Sequence, residues 1–312
     1  MERSTVLATR FRLARAAIIE FFENQSRRVY KRRELERVFS ENHGQWAFAP
    51  DVAFSEFLAY LVKGSYLWRI EFPFPHRKEV RYTWGKLPLE AVLPTLKPGC
   101  HFSHYTAVQL HDLTEQDPRT IYLNHEQSPK PTPEMGLAQE RIDAAFRRKP
   151  RTTRNVADVE RADGRGVRVC LLNGKYTGQL GVEERNVHLS GEEDAVPLRL
   201  TDLERTLIDI AVRPFYAGGV AEVLTTYTRA KARRASVNRL AGMVRKLGYV
   251  YPYHQAIGFY LEAAGYDEKV VDLFHQRFEY EFDFYLSYGM NDTEYVRRWR
   301  IHVPKGLSLS AP

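Results

Sequence analysis

The first 88 residues carry a hydrophobic pattern that predicts three helices followed by a β-hairpin. In the opening segment, apolar side chains such as Phe11, Ala14 and Ile18 recur every three or four positions, which is typical of an amphipathic helix. Capping and turn residues bound the shorter elements that follow. The first two predicted helices span about 10–23 and 31–39, and the third runs from Pro50 to Gly64. The predicted strands span 67–74 and 79–84. This order is that of a winged helix-turn-helix domain.

Basic side chains concentrate at two places in this pattern, the start of the second helix and the hairpin. In a winged helix-turn-helix domain these places contact phosphates and the minor groove, so the sequence predicts DNA binding there. A solvated charged surface is the alternative interpretation. The predicted DNA-binding residues, with two polar positions of the third helix, are Arg27, Arg28, Lys31, Arg32, Arg33, Ser55, Lys63, His76, Arg77, Lys78 and Arg81.

The third helix, which is the expected recognition helix, carries few side chains that could read base edges. Its sequence, DVAFSEFLAYLVKGSY, contains no arginine for guanine and no Asn or Gln for adenine. We therefore expect any sequence specificity to come from the hairpin, from DNA shape, or from the spacing of two copies in a candidate homodimer.

Beyond residue 88 the pattern predicts a second domain that mixes helices and strands. Prolines at 88, 94 and 98 mark the boundary, so the predicted domains are 1–88 and 89–312. The predicted elements are helices within 103–114, 196–230 (two, separated by a Pro break and a Gly-Gly turn), 230–246 and 248–265, a Pro-rich loop at 128–135, and strands over 120–123, 167–172, 186–189, 278–288 and 295–303. The predicted fold class is α+β, with an N-terminal winged helix-turn-helix followed by a mixed α/β domain that ends in a helical region and antiparallel strands.

The composition shows an excess of basic over acidic residues and argues against several classes of protein. The chain has 312 residues and a formal net charge of +7, which favours contact with phosphate backbones. No apolar run approaches the roughly 20 residues of a membrane helix, and the N-terminus lacks the pattern of a signal peptide. Cys100 and Cys170 suit a reducing cytosol and lack the spacing of a zinc site. We expect a cytoplasmic protein without a cofactor, a bound metal or a membrane partner.

Two further basic segments, 141–168 and 230–246, lie in the second predicted domain. Either segment could contact DNA or RNA, and either could equally meet an acidic toxin. The residues of this second candidate basic face are Arg147, Arg148, Lys149, Arg151, Lys231, Arg233, Arg234 and Arg239.

An aromatic segment, GYVYPYHQAIGFYLEAAG at 248–265, permits two interpretations. Tyr251, Tyr253, His254 and Tyr260 could form a packed aromatic corner, which is the expected role, or they could line a ligand pocket. A tyrosine ring buries a large apolar area in either case, so the sequence leaves the pocket open as the alternative.

Three arrangements could indicate catalysis, and each has a structural explanation. The carboxylates at 279–283 could hold Mg²⁺ as in a nuclease, although strict alternation predicts a solvated strand face. His101, His104 and His111 lack partner carboxylates or thiolates for a metal. The Gly-Gly pair at 218–219 lacks the lysine of a phosphate-binding loop. We expect no enzyme activity, and a metal-dependent nuclease is the less favoured alternative.

Two strings of the second domain resemble a known family. The segment TDLERTLIDIAVRP-x-x-AGG-x-x-EVL at 201–224 and the segment SHYTAVQLHDLT-x-x-x-P-x-T-IYL at 103–123 are similar to AbiEi-type antitoxins, the antitoxin half of type IV toxin–antitoxin pairs. The resemblance extends over about residues 10–306. It implies that the winged domain represses its own operon and that the second domain counteracts a nucleotidyltransferase-like toxin without forming a stable complex with it.

An alternative to this implied mechanism is that the antitoxin binds its toxin directly as a protein-interaction module. The chain resembles the antitoxin and not the toxin, because Gly219 is followed by Val220 and not by the Ser and spaced aspartates of a nucleotidyltransferase. We therefore expect a DNA-binding repressor and antitoxin that has promoter DNA and a cognate toxin as partners.

Overall fold

The computed structural model describes residues 2–48, 51–129, 136–161 and 163–307, and the chain divides into two compact units. The first unit comprises residues 1–96 and 157–166, and the second comprises 97–156 and 167–312. Helices and strands alternate in both units, so the predicted α+β class is confirmed. Within the described residues, no helix is both long and apolar enough to cross a membrane.

The first unit contains the three helices and the hairpin that the hydrophobic pattern predicts. Its elements are α1 (Glu2–Glu23), β1 (Val29–Tyr30), α2 (Arg32–Asn42), α3 (Phe54–Lys63), β2 (Leu67–Phe72), β3 (Glu79–Trp84) and α4 (Leu89–Val92), which a 3-10 turn (Leu93–Leu96) follows. The three strands form an antiparallel sheet in the order β1-β3-β2, with Leu67 opposite Trp84 and Phe72 opposite Glu79. Strand β1 was not predicted, because two residues are too short to show an alternating pattern. Pro50, the predicted start of the third helix, lies outside the described residues.

Aromatic side chains fill the core of the first unit and fix the position of α3. Phe22 of α1 stacks on Trp84 of β3 with ring centroids 4.4 Å apart, and Phe57 of α3 stacks on Trp46 at 5.3 Å. Phe57 is fully buried, as is expected of the apolar stripe of an amphipathic helix. The opposite side of α3 is therefore left at the surface.

The first unit continues eight residues past the predicted boundary at 88. The side chains of Leu89, Val92, Leu93 and Leu96 are buried, because α4 and the 3-10 turn cover one side of the hairpin. The prolines alone therefore placed the domain boundary too early, because the buried apolar residues of segment 89–96 keep that segment in the first unit.

The second unit is built on a mixed β-sheet and a group of helices. The elements along the rest of the chain are β4 (His101–Phe102), α5 (His104–Leu110), β5 (Thr120–Glu126), α6 (Gln139–Phe146), β6 (Val156–Glu160, almost entirely in the first unit), β7 (Gly166–Gly174), β8 (Val182–Val187), β9 (Val196–Thr201), α7 (Leu203–Val212), a 3-10 turn (Pro214–Tyr216), α8 (Val220–Ala232), α9 (Val237–Leu247), α10 (Tyr253–Ala263), α11 (Glu268–His275), β10 (Phe284–Tyr285), β11 (Thr293–Val296), a 3-10 turn (Arg297–Trp299) and β12 (Ile301–Pro304). The sheet includes the order β7-β5-β4-β9-β8, in which β5 is parallel to β7 and β4 is parallel to β9.

Helix α7 occupies the centre of the second unit. Its residues from Glu204 to Val212 are all buried, and α5, α8, α9 and α10 pack against it. Asp202 caps its N-terminus by accepting a hydrogen bond from the Arg205 backbone N–H at 2.8 Å. A helix buried on all sides must satisfy its own polar side chains internally, which is how a polar network arises around it.

The predicted strand over 278–288 is wrong, since only Phe284–Tyr285 is a strand there. Its alternating aromatic residues pack on neighbouring helices instead: Phe278 stacks on His254 of α10 at 4.7 Å and Tyr280 stacks on His275 of α11 at 4.2 Å. The aromatic residues at 278–288 therefore alternate because they pack against helices, and their alternation does not indicate a strand.

The predicted strand over 295–303 is interrupted by the 3-10 turn, after which Arg300 adopts a positive φ of 46°. The resulting strands β11 and β12 are antiparallel, whereas β10 and β12 are parallel. Most of the predicted Pro-rich loop at 128–135 lies outside the described residues.

Candidate functional site

The predicted basic cluster lies at the surface of the first unit, in the turn before α2 and in its first residues. It consists of Arg27, Arg28, Lys31, Arg32 and Arg33, of which all but the half-buried Arg28 are exposed. Arg27 lies 2.7 Å from the Glu34 carboxylate, and Arg28 lies 3.1 Å from the Glu23 carboxylate. Lys31, Arg32 and Arg33 form no ion pair within the described part of the chain. Exposed ion pairs contribute little and exchange readily for other anions, so the cluster stays available to a phosphate.

The tip of the hairpin carries a second group of exposed cations. The side chains of Arg77 and Lys78 are 82% and 71% exposed, and His76 is exposed beside them. Lys78 lies 3.0 Å from the Glu71 carboxylate, whereas Arg77 is 3.8 Å from Glu79. These side chains project from a two-stranded ribbon, which is a shape that fits a DNA groove.

Arg81 was predicted to bind DNA, and the structure shows that this prediction is wrong. Its side chain is 1% exposed and donates hydrogen bonds to the Thr95 carbonyl at 2.9 Å and the Leu96 carbonyl at 3.2 Å. Its guanidinium also lies 3.1 Å from the Glu79 carboxylate. The segment 89–96 covers this side of the hairpin, and the apolar spacing of that segment was the signal that could have shown it.

The exposed side of α3 is narrow and carries small side chains. Ser55, Ala59 and Lys63 are exposed at intervals of four residues, which places them along one side of the helix. The guanidinium of Arg32 lies over the Phe54 ring at 5.2 Å, at the start of α3. A helix side with short side chains can approach another surface closely, while Lys63 supplies one charge.

The second candidate basic face separates into two sets with different partners. Arg147, Arg148, Lys149 and Arg151 follow α6, are exposed, and form no ion pair among the residues that the structure describes. In the other set, Arg239 lies 2.5 Å from Asp202 and 3.5 Å from Glu204, and Arg233 lies 3.5 Å from Asp112. Lys231 donates to the Gly265 carbonyl, and Arg234 is exposed.

A buried polar network surrounds α7 in the second unit, and sequence reasoning did not anticipate it. Arg205 donates from Nε to Asp209 Oδ1 at 2.8 Å and from Nη1 to the Leu180 carbonyl at 2.5 Å. Asp209 Oδ2 and Asn124 Oδ1 are buried without a hydrogen-bond partner within the described residues. The polar residues of the 201–209 string gave a signal, because they interrupt the apolar periodicity of a helix that is otherwise read as scaffold.

The three histidines considered as metal ligands serve separate hydrogen bonds within the second unit. His104 Nδ1 lies 2.9 Å from Ser103 Oγ, and His111 Nε2 lies 2.8 Å from the Thr201 carbonyl. Burial lowers the pKa of His104 to about 3 and also lowers the pKa of His101 and His111. His104 adopts a positive φ of 51° at the start of α5, so its backbone is held in a conformation that non-glycine residues rarely adopt.

The carboxylates considered for a nuclease do not form a ladder, because their segment is not a strand. Asp283 accepts hydrogen bonds from Arg300 Nε at 2.9 Å and from the Tyr295 hydroxyl at 2.7 Å. Glu279 and Glu281 are exposed. Where the structure describes the chain, no group of three or more His, Cys, Asp or Glu side chains is placed to bind a metal ion.

The aromatic segment at 248–265 divides between the two interpretations that the sequence left open. Tyr260 is fully buried and stacks on Tyr227 at 5.1 Å, and His254 packs on Phe278, so these two residues belong to the packed interior. Tyr251 and Tyr253 line a cavity of the second unit.

The comparisons with known proteins show the fold and nothing finer. No protein-family model matches the chain, and no curated protein matches it. The crystal structure of the Rv2827c protein from Mycobacterium tuberculosis is similar in fold, with a TM-score of 0.57, 12% sequence identity, and coverage of 93% of this chain and 91% of that chain.

Proposed function

We propose that the protein is a DNA-binding transcriptional repressor and antitoxin, and that its first unit binds promoter DNA. The observation that carries the proposal is the pair of exposed cation groups, one at the start of α2 and one at the hairpin tip, on a unit with the order helix, strand, helix, helix, hairpin. That order is the order of a winged helix-turn-helix domain, in which α3 enters the major groove and the hairpin contacts the minor groove or the backbone.

Helix α3 supports a close approach to DNA more than it supports the reading of bases. Its exposed side carries Ser55, Ala59 and Lys63, so the helix offers one charge and no bidentate partner for guanine or adenine. Affinity would then come mainly from phosphate contacts and specificity from DNA shape, from the hairpin, and from the spacing of two half-sites in a homodimer.

The local ion pairs of these cations are compatible with DNA binding. Arg27, Arg28 and Lys78 hold surface carboxylates, and such exposed pairs contribute little to stability. A DNA phosphate can replace the carboxylate at low cost, while Lys31, Arg32 and Arg33 need no such exchange. The proposed binding energy therefore depends most on these last three residues.

The antitoxin half of the proposal rests on the resemblance to AbiEi-type proteins. The strings that carry it, at 103–123 and 201–224, lie in the second unit, where they form α5, β5 and α7. In the proposal this unit counteracts a nucleotidyltransferase-like toxin that the neighbouring gene encodes.

Promoter binding is tested by substituting the basic cluster. The Arg32→Ala/Arg33→Ala variant should bind the DNA upstream of its own gene at least about tenfold more weakly, since a hydrogen bond to a charged group contributes about 1.5–3 kcal/mol. Fluorescence anisotropy at several salt concentrations measures both the affinity and the salt slope, which should fall by about 1 for each phosphate that the variant no longer neutralises.

The Arg119→Ala/Arg297→Ala variant is the matched control, because it removes the same charge from exposed positions of the second unit that belong to neither candidate basic face. Unchanged promoter affinity in the Arg32/Arg33 variant, or equal losses in both variants, would remove the proposed mechanism. The toxin half is tested separately by coexpression with the product of the adjacent gene, where restored growth is expected and copurification at a fixed ratio would favour direct binding.

A further inference from the structure

The second unit contains a cavity of about 950 Å³ that no part of the proposed function uses. Its lining comes from the residues after α6, the end of β7, the end of α7 and the residues that lead into α10. Ligand pockets in proteins commonly have volumes of roughly 300–1,000 Å³, so this cavity is large enough for a small organic molecule.

Cations line this cavity without accompanying carboxylates. The basic residues among its lining are Arg148, Lys149, Arg151, Lys175 and Arg213, and no Asp or Glu is among the lining residues that the structure describes. Lys175 Nζ donates to the carbonyls of Leu247 and Gly248, whereas the other four have no ion pair within the described ranges. Five uncompensated positive charges around one concave space favour an anion with several oxygen atoms, such as a phosphate.

Aromatic rings form a second part of the lining. They are Tyr176, Phe215, Tyr216, Tyr249, Tyr251, Tyr253 and Tyr288. Tyr251 and Tyr288 are partly exposed and are supported from behind by Phe146, whose ring stacks on Tyr288 at 4.2 Å and meets Tyr251 edge-on at 5.4 Å. Rings held in this way offer a rigid surface on which a planar aromatic group can stack.

A small recess of about 60 Å³ shares Lys175, Val212, Arg213 and Tyr249 with the lining of the cavity. Asn124 and Asp209 also line this recess and are 5% and 6% exposed, and their unpartnered atoms are Asn124 Oδ1 and Asp209 Oδ2. Buried acceptors without partners are uncommon and call for a donor. An amino group or a hydroxyl group can supply one.

We propose that this cavity binds a nucleoside phosphate. The phosphate contacts the cations at 148–151, the base stacks on the tyrosines, and a hydroxyl or amino group donates to Asn124 and Asp209 in the recess. A free mononucleotide and the phosphorylated end of a single-stranded nucleic acid share this chemistry. The site is separate in its residues from the promoter-binding surface, so either proposal can fail without the other.

The test is isothermal titration calorimetry on the full chain. The probes are AMP, GMP, CMP and UMP singly, the matching nucleosides, inorganic phosphate, and a short single-stranded oligonucleotide with and without a 5′-phosphate. We expect at least one monophosphate, or the 5′-phosphorylated oligonucleotide, to bind at least about tenfold more tightly than its unphosphorylated form. Preference for the oligonucleotide identifies a strand end, and preference for the monophosphate identifies a free nucleotide.

Two matched variants locate the binding. Arg148→Ala/Lys149→Ala should weaken binding by about tenfold or more, whereas Arg119→Ala/Arg297→Ala removes exposed arginines that do not line the cavity and should leave affinity unchanged. Circular dichroism melts establish that each variant is folded. The proposal is overturned if no probe binds at millimolar concentration, if inorganic phosphate binds as tightly as the best nucleotide, or if the two double variants behave alike.

Discussion

The polar network around α7 and the cationic surface of the first unit use the same kinds of side chain for opposite purposes. Arg205 is 4% exposed and donates to Asp209, the Thr177 hydroxyl and the Leu180 carbonyl, whereas the Arg77 side chain is 82% exposed. A charge that lies within an apolar pattern must find partners inside the fold, and a charge outside that pattern stays in water. A count of basic residues therefore overstates the charge that is available for binding.

The same contrast holds over four residues of a single hairpin. Arg77 and Arg81 both belong to the basic group that the sequence assigned to DNA. Arg81 hydrogen-bonds the carbonyls of Thr95 and Leu96, whereas Arg77 extends into solvent. Arg77 lies in the hairpin tip before β3, whereas Arg81 lies within β3 under the covering segment 89–96, and this difference decides which of the two can reach a phosphate.

The largest expected effect follows from removing a charge of the buried network. Arg205→Ala leaves the buried Asp209 carboxylate without its cation, and breaking such a pair costs about 3–5 kcal/mol of unfolding free energy. Urea denaturation followed by circular dichroism measures the loss. Arg77→Ala is the control, and equal stability of the Arg205 variant and the control would show that the network does not stabilise the unit.

The next effect concerns pH, because His104 is held neutral in the fold. Burial depresses its pKa to about 3, so the unfolded chain binds a proton below the ordinary histidine pKa while the folded chain does not. Stability is fully present above pH of about 6.5 and should fall as the pH decreases towards 3, at about 1.4 kcal/mol per pH unit from this residue.

His104→Asn tests this expectation, since Asn tolerates the positive φ at this position. Unfolding free energies measured between about pH 6 and pH 4 should decrease less steeply for the variant than for the unmodified chain, by about 1.4 kcal/mol per pH unit. Parallel pH profiles would show that His104 does not titrate as its burial requires. His101 and His111, whose pKa values burial also lowers, contribute to the slope that remains.

The smallest expected change in stability follows from removing exposed cations of the first unit. Arg33→Ala and Arg77→Ala should change the unfolding free energy by less than about 0.5 kcal/mol, because exposed substitutions away from buried groups have small effects. Thermal melts of the two variants measure this change in unfolding free energy. A loss above about 1 kcal/mol in either variant would mean that these cations stabilise the fold and are not reserved for a ligand.

The sequence predicted the parts of the fold that long, regular patterns specify. Helices α1 and α3 and the hairpin show clear periodicity over ten or more residues. Strands β1 and β4 have two residues each, too few for a pattern. Alternation at 278–288 was misleading because aromatic rings that pack on helices can recur every second residue.

The candidate sites were predictable to different degrees for a related reason. The basic cluster at 27–33 is contiguous in the sequence, so its position at the surface followed from local pattern. The cavity draws on segments near 128, 150, 175, 213, 250 and 288, which only the folded chain brings together. The sequence pattern marks only part of this lining, with Tyr251 and Tyr253 as a pocket alternative and Arg148, Lys149 and Arg151 as a basic face.

The internal hydrogen bonds of Arg81 have a consequence for the hairpin tip. They fasten the middle of the hairpin, where Arg81 lies opposite Ile70, to residues 95 and 96, which restrains the ribbon that carries Arg77 and Lys78. A preorganised ribbon loses less conformational entropy on association than a loose one. If the tip binds DNA as proposed, Arg81 thereby lowers the entropic penalty of binding for Arg77 and Lys78 without contacting the DNA itself.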